Sequence, residues 1–297
     1  MTILLQTLAT GLAIGSVYTL LAVGFVMIYK ATRVINFAHP SLMLVGATTT
    51  ALLTVQLSVP FFVSVLASVA VVALLAAVIE RLAVRPMIGK SVFAIVLATI
   101  GLDVAVRVVA GRWIGNAVRP IRDPWGLDTV AMGGVIVQQR HIATFFVMVL
   151  CVGALYLFFQ HSRFGLAMRA TALDQEAAAV QGISVGRVFA VSWLIAGALA
   201  AVAGSFASSG VGVDQQTWLI ALKALPAVII GGLDSIQGAL VGGLTVGIVE
   251  AVVAVYQPGA IPVLGQSFAL VAPYVAMFLV LLVRPFGIWG TREVERV

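Results

Sequence analysis

The chain alternates long apolar runs with short polar punctuation as far as residue 283. Nine runs stand out, at 3–29, 37–57, 60–79, 92–107, 142–160, 185–208, 217–230, 236–256 and 267–283. Most approach the ~20 residues a helix needs to cross ~30 Å of hydrocarbon, and the seventh is too short for an ordinary span. The pattern predicts an all-α polytopic integral membrane protein with about eight or nine passes, some of them short or broken. No polar segment is long enough to fold separately, so residues 1–297 read as one membrane domain. It carries an outer loop at 108–140 and a polar loop at 161–184.

Within that second loop lies Asp174-Gln175-Glu176-Ala177-Ala178-Ala179-Val180-Gln181-Gly182, an island of acids and small residues between two apolar runs. Lipid gains nothing from such a segment, so it reads as a docking site for a partner in the aqueous phase.

Composition agrees with the pattern. Of 297 residues 62% are hydrophobic and only 9% charged, against roughly one quarter charged in a soluble domain. The net charge of +6 would suit nucleic acid, but the cations are scattered among short loops instead of forming a basic stripe with aromatics. Their placement reads as topology. With the polar island inside the cell, eleven of the 17 cations are inside: Lys30, Arg33, Arg81, Arg85, Lys90, Arg163, Arg169, Arg187, Arg284, Arg292 and Arg296. Arg107, Arg112, Arg119, Arg122 and Arg140 belong to the outer loop, and Lys223 lies inside the short pass. This bias predicts an N-out, C-in chain. The first run has no basic residue before it and no cleavage pattern after it, so it is expected to remain as a helix. Cys151 is the single cysteine, which excludes an intrachain disulfide and suggests packing.

The outer loop contains Trp113, Pro120, Pro124, Trp125 and Gly133-Gly134 followed by Val135-Ile136-Val137. That order predicts a small hairpin at the membrane surface, a platform for an extracytoplasmic partner or simply a solvated connector. Glycine pairs spaced by four, Gly11 with Gly15, Gly238 with Gly242 and Gly243 with Gly247, predict close helix packing.

Catalytic chemistry finds little support. Gly89-Lys90-Ser91 resembles the tail of a phosphate loop, but Val84 stands where the leading glycine belongs. His39, His141 and His161 lack the spacing of a helical metal site, and there is no nucleophile elbow. No cofactor and no metal are expected. The ionisable residues in or beside apolar runs are Asp103, Lys223, Asp234 and Glu250, where charge is costly and therefore informative. Asp103 precedes Arg107 by four, the spacing of a same-face ion pair. Asp234 follows two glycines and suits a helix stop and then an N-cap. Lys223 and Glu250 have no such simple account. Between the first two runs, Asn36, His39 and Ser41 sit at a helix start with Pro40 in its first turn, either a plain cap or a substrate-facing helix end.

Several segments together resemble one family: Gly15-Ser16-Val17-Tyr18-Thr19-Leu20, Val34-Ile35-Asn36-Phe37-Ala38-His39, Ser162-Arg163-Phe164-Gly165-Leu166-Ala167-Met168-Arg169, and Leu222-Lys223-Ala224 with Gly231-Gly232-Leu233. The chain is similar over nearly its whole length to the LivH-type permease subunits of ATP-binding-cassette importers for branched-chain amino acids. Glu176-Ala177-Ala178 with Gly182 looks like the coupling loop of such importers, while the hydrophobic-proline continuation is replaced by Ser192-Trp193-Leu194. Pro40 and Asp234 stand where glycine is more usual in the family.

The resemblance implies a bacterial inner-membrane permease, paired with a homologous permease as a heterodimer. It further implies two cytoplasmic ATPase subunits, on which hydrolysis occurs, and an extracytoplasmic substrate-binding protein. Arg169, Asp174, Glu176, Ala177, Ala178 and Gly182 would couple to the ATPases; Tyr18, Asn36, Phe37, His39 and Ser41 would line the pathway. A urea or short-chain amide permease remains an alternative within this type. An ion-coupled secondary transporter, with Asp103 or Glu250 as the coupling carboxylate, is an alternative of another class, and a membrane enzyme is a third.

Overall fold

The computed structural model describes residues 2–87 and 89–291; Arg292 and Arg296 lie outside them. Twelve α-helices occur among the described residues: α1 (Thr2–Thr32), α2 (His39–Gln56), α3 (Phe61–Ile79), α4 (Val92–Ile114), α5 (Gln139–His161), α6 (Arg163–Leu173), α7 (Gln175–Val180), α8 (Val185–Ala207), α9 (Leu219–Leu222), α10 (Ala224–Gly231), α11 (Ile236–Ala260) and α12 (Ala272–Val283). Six are long and apolar enough to cross a membrane: α1, α3 with its continuation to Met87, α4, α5, α8 and α11. Of the remaining three expected passes, the pair α9 and α10 and the helix α12 are shorter, and α2 has the length but not the apolar character of the six.

Each shortening has a local cause. Pro226 cannot donate to the carbonyl of Leu222, so the run at 217–230 breaks at Lys223 into α9 and α10. Pro273 lies in the first turn of α12, and residues 266–270 before it form only a 3-10 turn. α2 has the length of a span but carries Thr48, Thr49, Thr50 and Thr54, whose hydroxyls bond carbonyls one turn back or, for Thr50, Ser205 at 2.7 Å. Conversely α4 runs beyond Arg107 to Ile114 because no breaker intervenes before Gly115, whose φ is +74°. The loop expected at 108–140 therefore begins at Gly115, seven residues later than the pattern suggested.

α1, α2 and α8 form the buried centre, with Leu20, Leu21, Met27, Leu42, Met43 and Trp193 fully enclosed. α3, α10 and α11 flank them, while α4 and α5 lie outside and turn Phe93, Leu97, Val108, Phe146 and Leu150 outward as a hydrocarbon-facing layer. The predicted glycine spacings prove to be two seams on α11. Gly243 and Gly247 meet α1 at Thr19, Gly15 and Gly11, where a methyl on Gly15 would stand 2.8 Å from the Leu244 Cα. Gly238 and Gly242 meet α10 at Gly231 and Ala227. Backbone touches backbone along both seams, so dispersion contacts replace the hydrophobic drive that lipid does not provide.

Side-chain and backbone bonds sort the loops into two ends. One end gathers residues 33–38, 80–87, 89–91, 161–184, 232–235 and 284–291, joined for example by Arg33 Nη2 to Ala172 O at 2.8 Å and Ile288 N to Ile230 O at 2.8 Å. The other gathers 57–60, 115–138 and 208–217, where Arg119 and Val213 exchange backbone bonds of 2.8 and 2.7 Å. There β1 (Thr129–Met132) and β2 (Val135–Gln138) pair antiparallel in the register Val130 to Val137, with Gly133 and Gly134 at φ +57° and +83° in the turn. Two successive positive φ angles are what the tight primed turn of a hairpin requires.

Candidate functional site

The polar island folds into a compact knuckle. Ser162 caps α6 by accepting from Gly165 N at 2.8 Å, and Asp174 caps α7 by accepting from Glu176 N and Ala177 N at 2.9 and 3.0 Å. Gly182 at φ +82° ends the turn, with open space where a side chain would stand. Asp174, Glu176, Ala177 and Gly182 are exposed, beside the outward apolar groups Leu173 and Val180. Ala178 is buried. Arg169 points inward and donates to the carbonyl of Phe159 at the end of α5.

Two bonds fasten this knuckle to the end of α1: Gln175 Nε2 donates to Ala31 O at 3.0 Å, and Arg33 reaches Ala172 O. Arg33 itself closes α1 in a left-handed conformation, φ +58°. A third connection lies next to it. Arg85 grips the wholly buried Glu80 with two 3.0 Å bonds and donates to Gly186 O at 2.6 Å, joining the π-helical end of α3 to the first turn of α8.

At the elbow between α1 and α2, the expected pathway residues take different places. Asn36 Oδ1 accepts from Ala38 N at 2.9 Å, Phe37 N donates to Thr99 Oγ1 at 3.2 Å, and His39 is enclosed against Phe25 and Gly24. The free amide at the start of α2 is that of Ser41, and Asp103 of α4 accepts from it at 3.0 Å. The helix start thus faces a carboxylate of the protein's own, favourable for an amide donor and a dipole end. At the second elbow the N-cap is Ser235, accepting from Gly238 N at 3.0 Å. Asp234, expected in that role, instead bonds the hydroxyl and amide of Thr291.

The charges within the apolar runs form two further pairs. Asp103 and Arg107 meet at 2.8 Å, and the Arg107 guanidinium lies 3.9 Å above the Trp218 ring. Lys223 Nζ donates to Glu250 Oε1 at 2.6 Å, while Tyr18, 2% exposed, donates to Glu250 Oε2 at 2.5 Å. Trp218 and Lys223 flank α9, so this four-residue helix is held at both ends by charged partners. Pairing is what makes such charges tolerable at membrane depth.

Two cavities adjoin α9. The first, about 240 Å³, is bounded by Tyr18, Glu250, Arg140, His141, Ser209 and Ile220, with Ile14 and Val17 on its α1 wall. The second, about 410 Å³, is bounded by Arg107, Arg112, Gln215, Trp218 and Leu44. Tyr18 is the one expected pathway residue on either wall; Asn36, Phe37, His39 and Ser41 are on neither. Sequence reading missed Arg140, His141, Ser209, Gln175 and the Glu80–Arg85 pair. Arg140 looked like one outer-loop cation among five, and only the fold carries it to the same wall as Glu250.

Residues 7–283 match the protein family described as the permease component of the branched-chain amino acid transport system. The chain belongs to that family. Relatives extend over nearly its whole length. The high-affinity branched-chain amino acid transport system permease protein BraD of Pseudomonas aeruginosa is 33% identical over 99% of this chain and 98% of its own. LivH of Escherichia coli is 30% identical over 99% and 97%, and a probable LivH of Methanocaldococcus jannaschii 31% over 93% and 89%. Among solved structures, a chain of PsaBC from Streptococcus pneumoniae, in complex with a Fab, superposes with a TM-score of 0.55 over 96% of this chain and 93% of its own. At 15% identity that likeness speaks for the fold alone. As a family member the protein is a membrane-embedded permease component, and its work is transport.

Proposed function

We infer that the chain is the pathway-forming subunit of an ATP-driven importer of branched-chain amino acids in the bacterial inner membrane. It pairs with a homologous permease, and two cytoplasmic ATPases seat on α6 and α7. A substrate-binding protein docks on the opposite face, over residues 115–138. The observation that carries this reading is the knuckle: an exposed Glu176-Ala177 step and Gly182 turn, tethered by Gln175 and Arg33 to the most buried helix of the bundle. Small side chains let a partner groove close over α7, and the exposed acids supply charge-assisted bonds at its rim.

The orientation follows the charge bias. Nine of the eleven cations assigned inside are among the described residues; seven fall in segments of the knuckle end and the other two, Lys30 and Arg187, in the helix turns that adjoin it, which supports N-out, C-in. In that sense α1, α2, α3, α4, α5, α8, α11 and α12 each cross, and α9 with α10 makes the ninth crossing as a broken segment. Co-purification in mild detergent tests the assembly: a pair of ATPases should accompany the chain. An engineered thiol at Gln181 should be shielded from impermeant reagent in intact cells. Labelling there from outside would overturn the orientation, and gradient-driven uptake by the chain alone would replace the mechanism. Against that last reading, both candidate coupling carboxylates already hold a cation of the protein.

A further inference from the structure

The first cavity has a chemistry that the family description does not assign. Its floor is Glu250 with Tyr18, halfway along α11 and α1, and its rim is Arg140 and His141 at the start of α5 with Ser209 beyond the end of α8. Ile14, Val17 and Ile220 make the wall between them. A volume near 240 Å³ is below the roughly 300–1,000 Å³ of sites for drug-sized ligands, which suits a single small solute.

The polar groups have capacity to spare. A carboxylate offers about four lone-pair positions, and Glu250 uses one on Lys223 and one on Tyr18. Arg140 donates through Nε to Gln138 at 2.6 Å, but its Nη1 is buried without an acceptor. The fold makes room for this guanidinium: Gly210, at φ +72°, lies under it, and a methyl there would collide with Arg140. A buried donor left open costs free energy unless something accepts from it.

We propose that this cavity is a transit site for one zwitterionic aliphatic amino acid. Its ammonium group sits on Glu250, its carboxylate turns toward Arg140, and its side chain lies against Ile14, Val17 and Ile220. The proposal rests on the amino-acid reading above and deepens it. Urea would leave Arg140 without a counter-charge, an acyl chain would leave the open Arg140 donor and the spare acceptor positions of Glu250 unmet, and a simple anion would face Glu250. Because Lys223 already half-satisfies Glu250, the site holds its ligand weakly, as a pathway must if it is to release. The rim is also mechanically continuous with the outer face, since Ser209 Oγ donates to Asp123 Oδ2 at 2.6 Å.

The test uses the assembled complex of both permeases and ATPases in nanodiscs, without the binding protein. Radiolabelled leucine binding is competed by 3-methylbutylamine, which lacks the carboxylate, by 4-methylpentanoate, which lacks the ammonium, and by urea. Wild type should prefer leucine over each by about 10- to 100-fold, the worth of a charge-assisted bond. Arg140→Gln should erase the preference over the amine while leaving that over the acid. Glu250→Gln should do the reverse, and Gly210→Ala, which displaces the guanidinium without touching the ion pair, should copy Arg140→Gln. Equal weakening of all ligands, or unchanged preference in Arg140→Gln and Gly210→Ala, overturns the site. So does absence of saturable leucine binding in a complex that imports leucine once its binding protein is added, which leaves the importer reading intact. Import of urea instead of leucine by that complete system removes the reading itself.

Discussion

The glycine seams of α11 and the knuckle of α6 and α7 are built on opposite principles. In the seams backbones meet almost directly, with only small side chains such as Thr19 and Ala251 beside the contact. In the knuckle, apolar and acidic side chains face outward, and only Ala178, Gly165, Met168 and Thr171 are buried. One region is complete in itself; the other is a surface finished by a partner. The contrast separates mutations that destroy the bundle from mutations that disconnect it.

The largest effect is expected in the seam. Gly247→Leu drives a side chain into the backbone of Gly15, and overpacking of this kind costs about 1–3 kcal/mol or more. The variant should fail to accumulate as folded protein, read by fluorescence-detected size exclusion. Normal yield and Tm would show that α1 and α11 can part without loss. Next comes the knuckle itself, where Gly182→Arg or Glu176→Lys should abolish uptake and ATPase co-purification while membrane insertion and Tm stay near wild type. Retained uptake in both would remove the coupling assignment.

An intermediate outcome belongs to the tether. Gln175→Ala with Arg33→Ala removes two hydrogen bonds worth together about 1–4 kcal/mol, so ATPases should still bind while transport per ATP hydrolysed falls several-fold. Tight coupling in the double variant would route the connection instead through Arg85 and Gly186. The smallest change is Ser162→Ala, the loss of a helix cap, which should cost about 0.5–2 kcal/mol in thermal stability and leave coupling almost unaltered.

What could be read in advance followed what is local. Apolar run length predicted eight or nine passes, of which six are helices long and apolar enough to span, the Gly133-Gly134 turn announced its hairpin, and the four-residue glycine spacing announced seams. The break at Lys223 was visible only as a run too short, because Pro226 acts on the carbonyl of a residue four positions earlier. What escaped was non-local: that Asp103 reaches across from α4 to cap α2 at Ser41, that Asp234 serves Thr291 and leaves capping to Ser235, and that Arg140 shares a wall with Glu250. Spacing along one helix can suggest Asp103 with Arg107. No spacing can suggest partners 62 or 232 residues apart, such as Ser41 with Asp103 or Tyr18 with Glu250.

A linkage without backlash passes on every small displacement of its input. α1, α11 and α10 are such a linkage, since backbones in contact leave no rotamer to absorb a shift. An ångström-scale push on Ala31, of the order of 1–2 Å in known helix shifts, would therefore arrive at Glu250 nearly undiminished. The first compliant joint it meets is the interruption at Lys223, and whatever rearranges in this subunit begins to differ from rigid-body travel there.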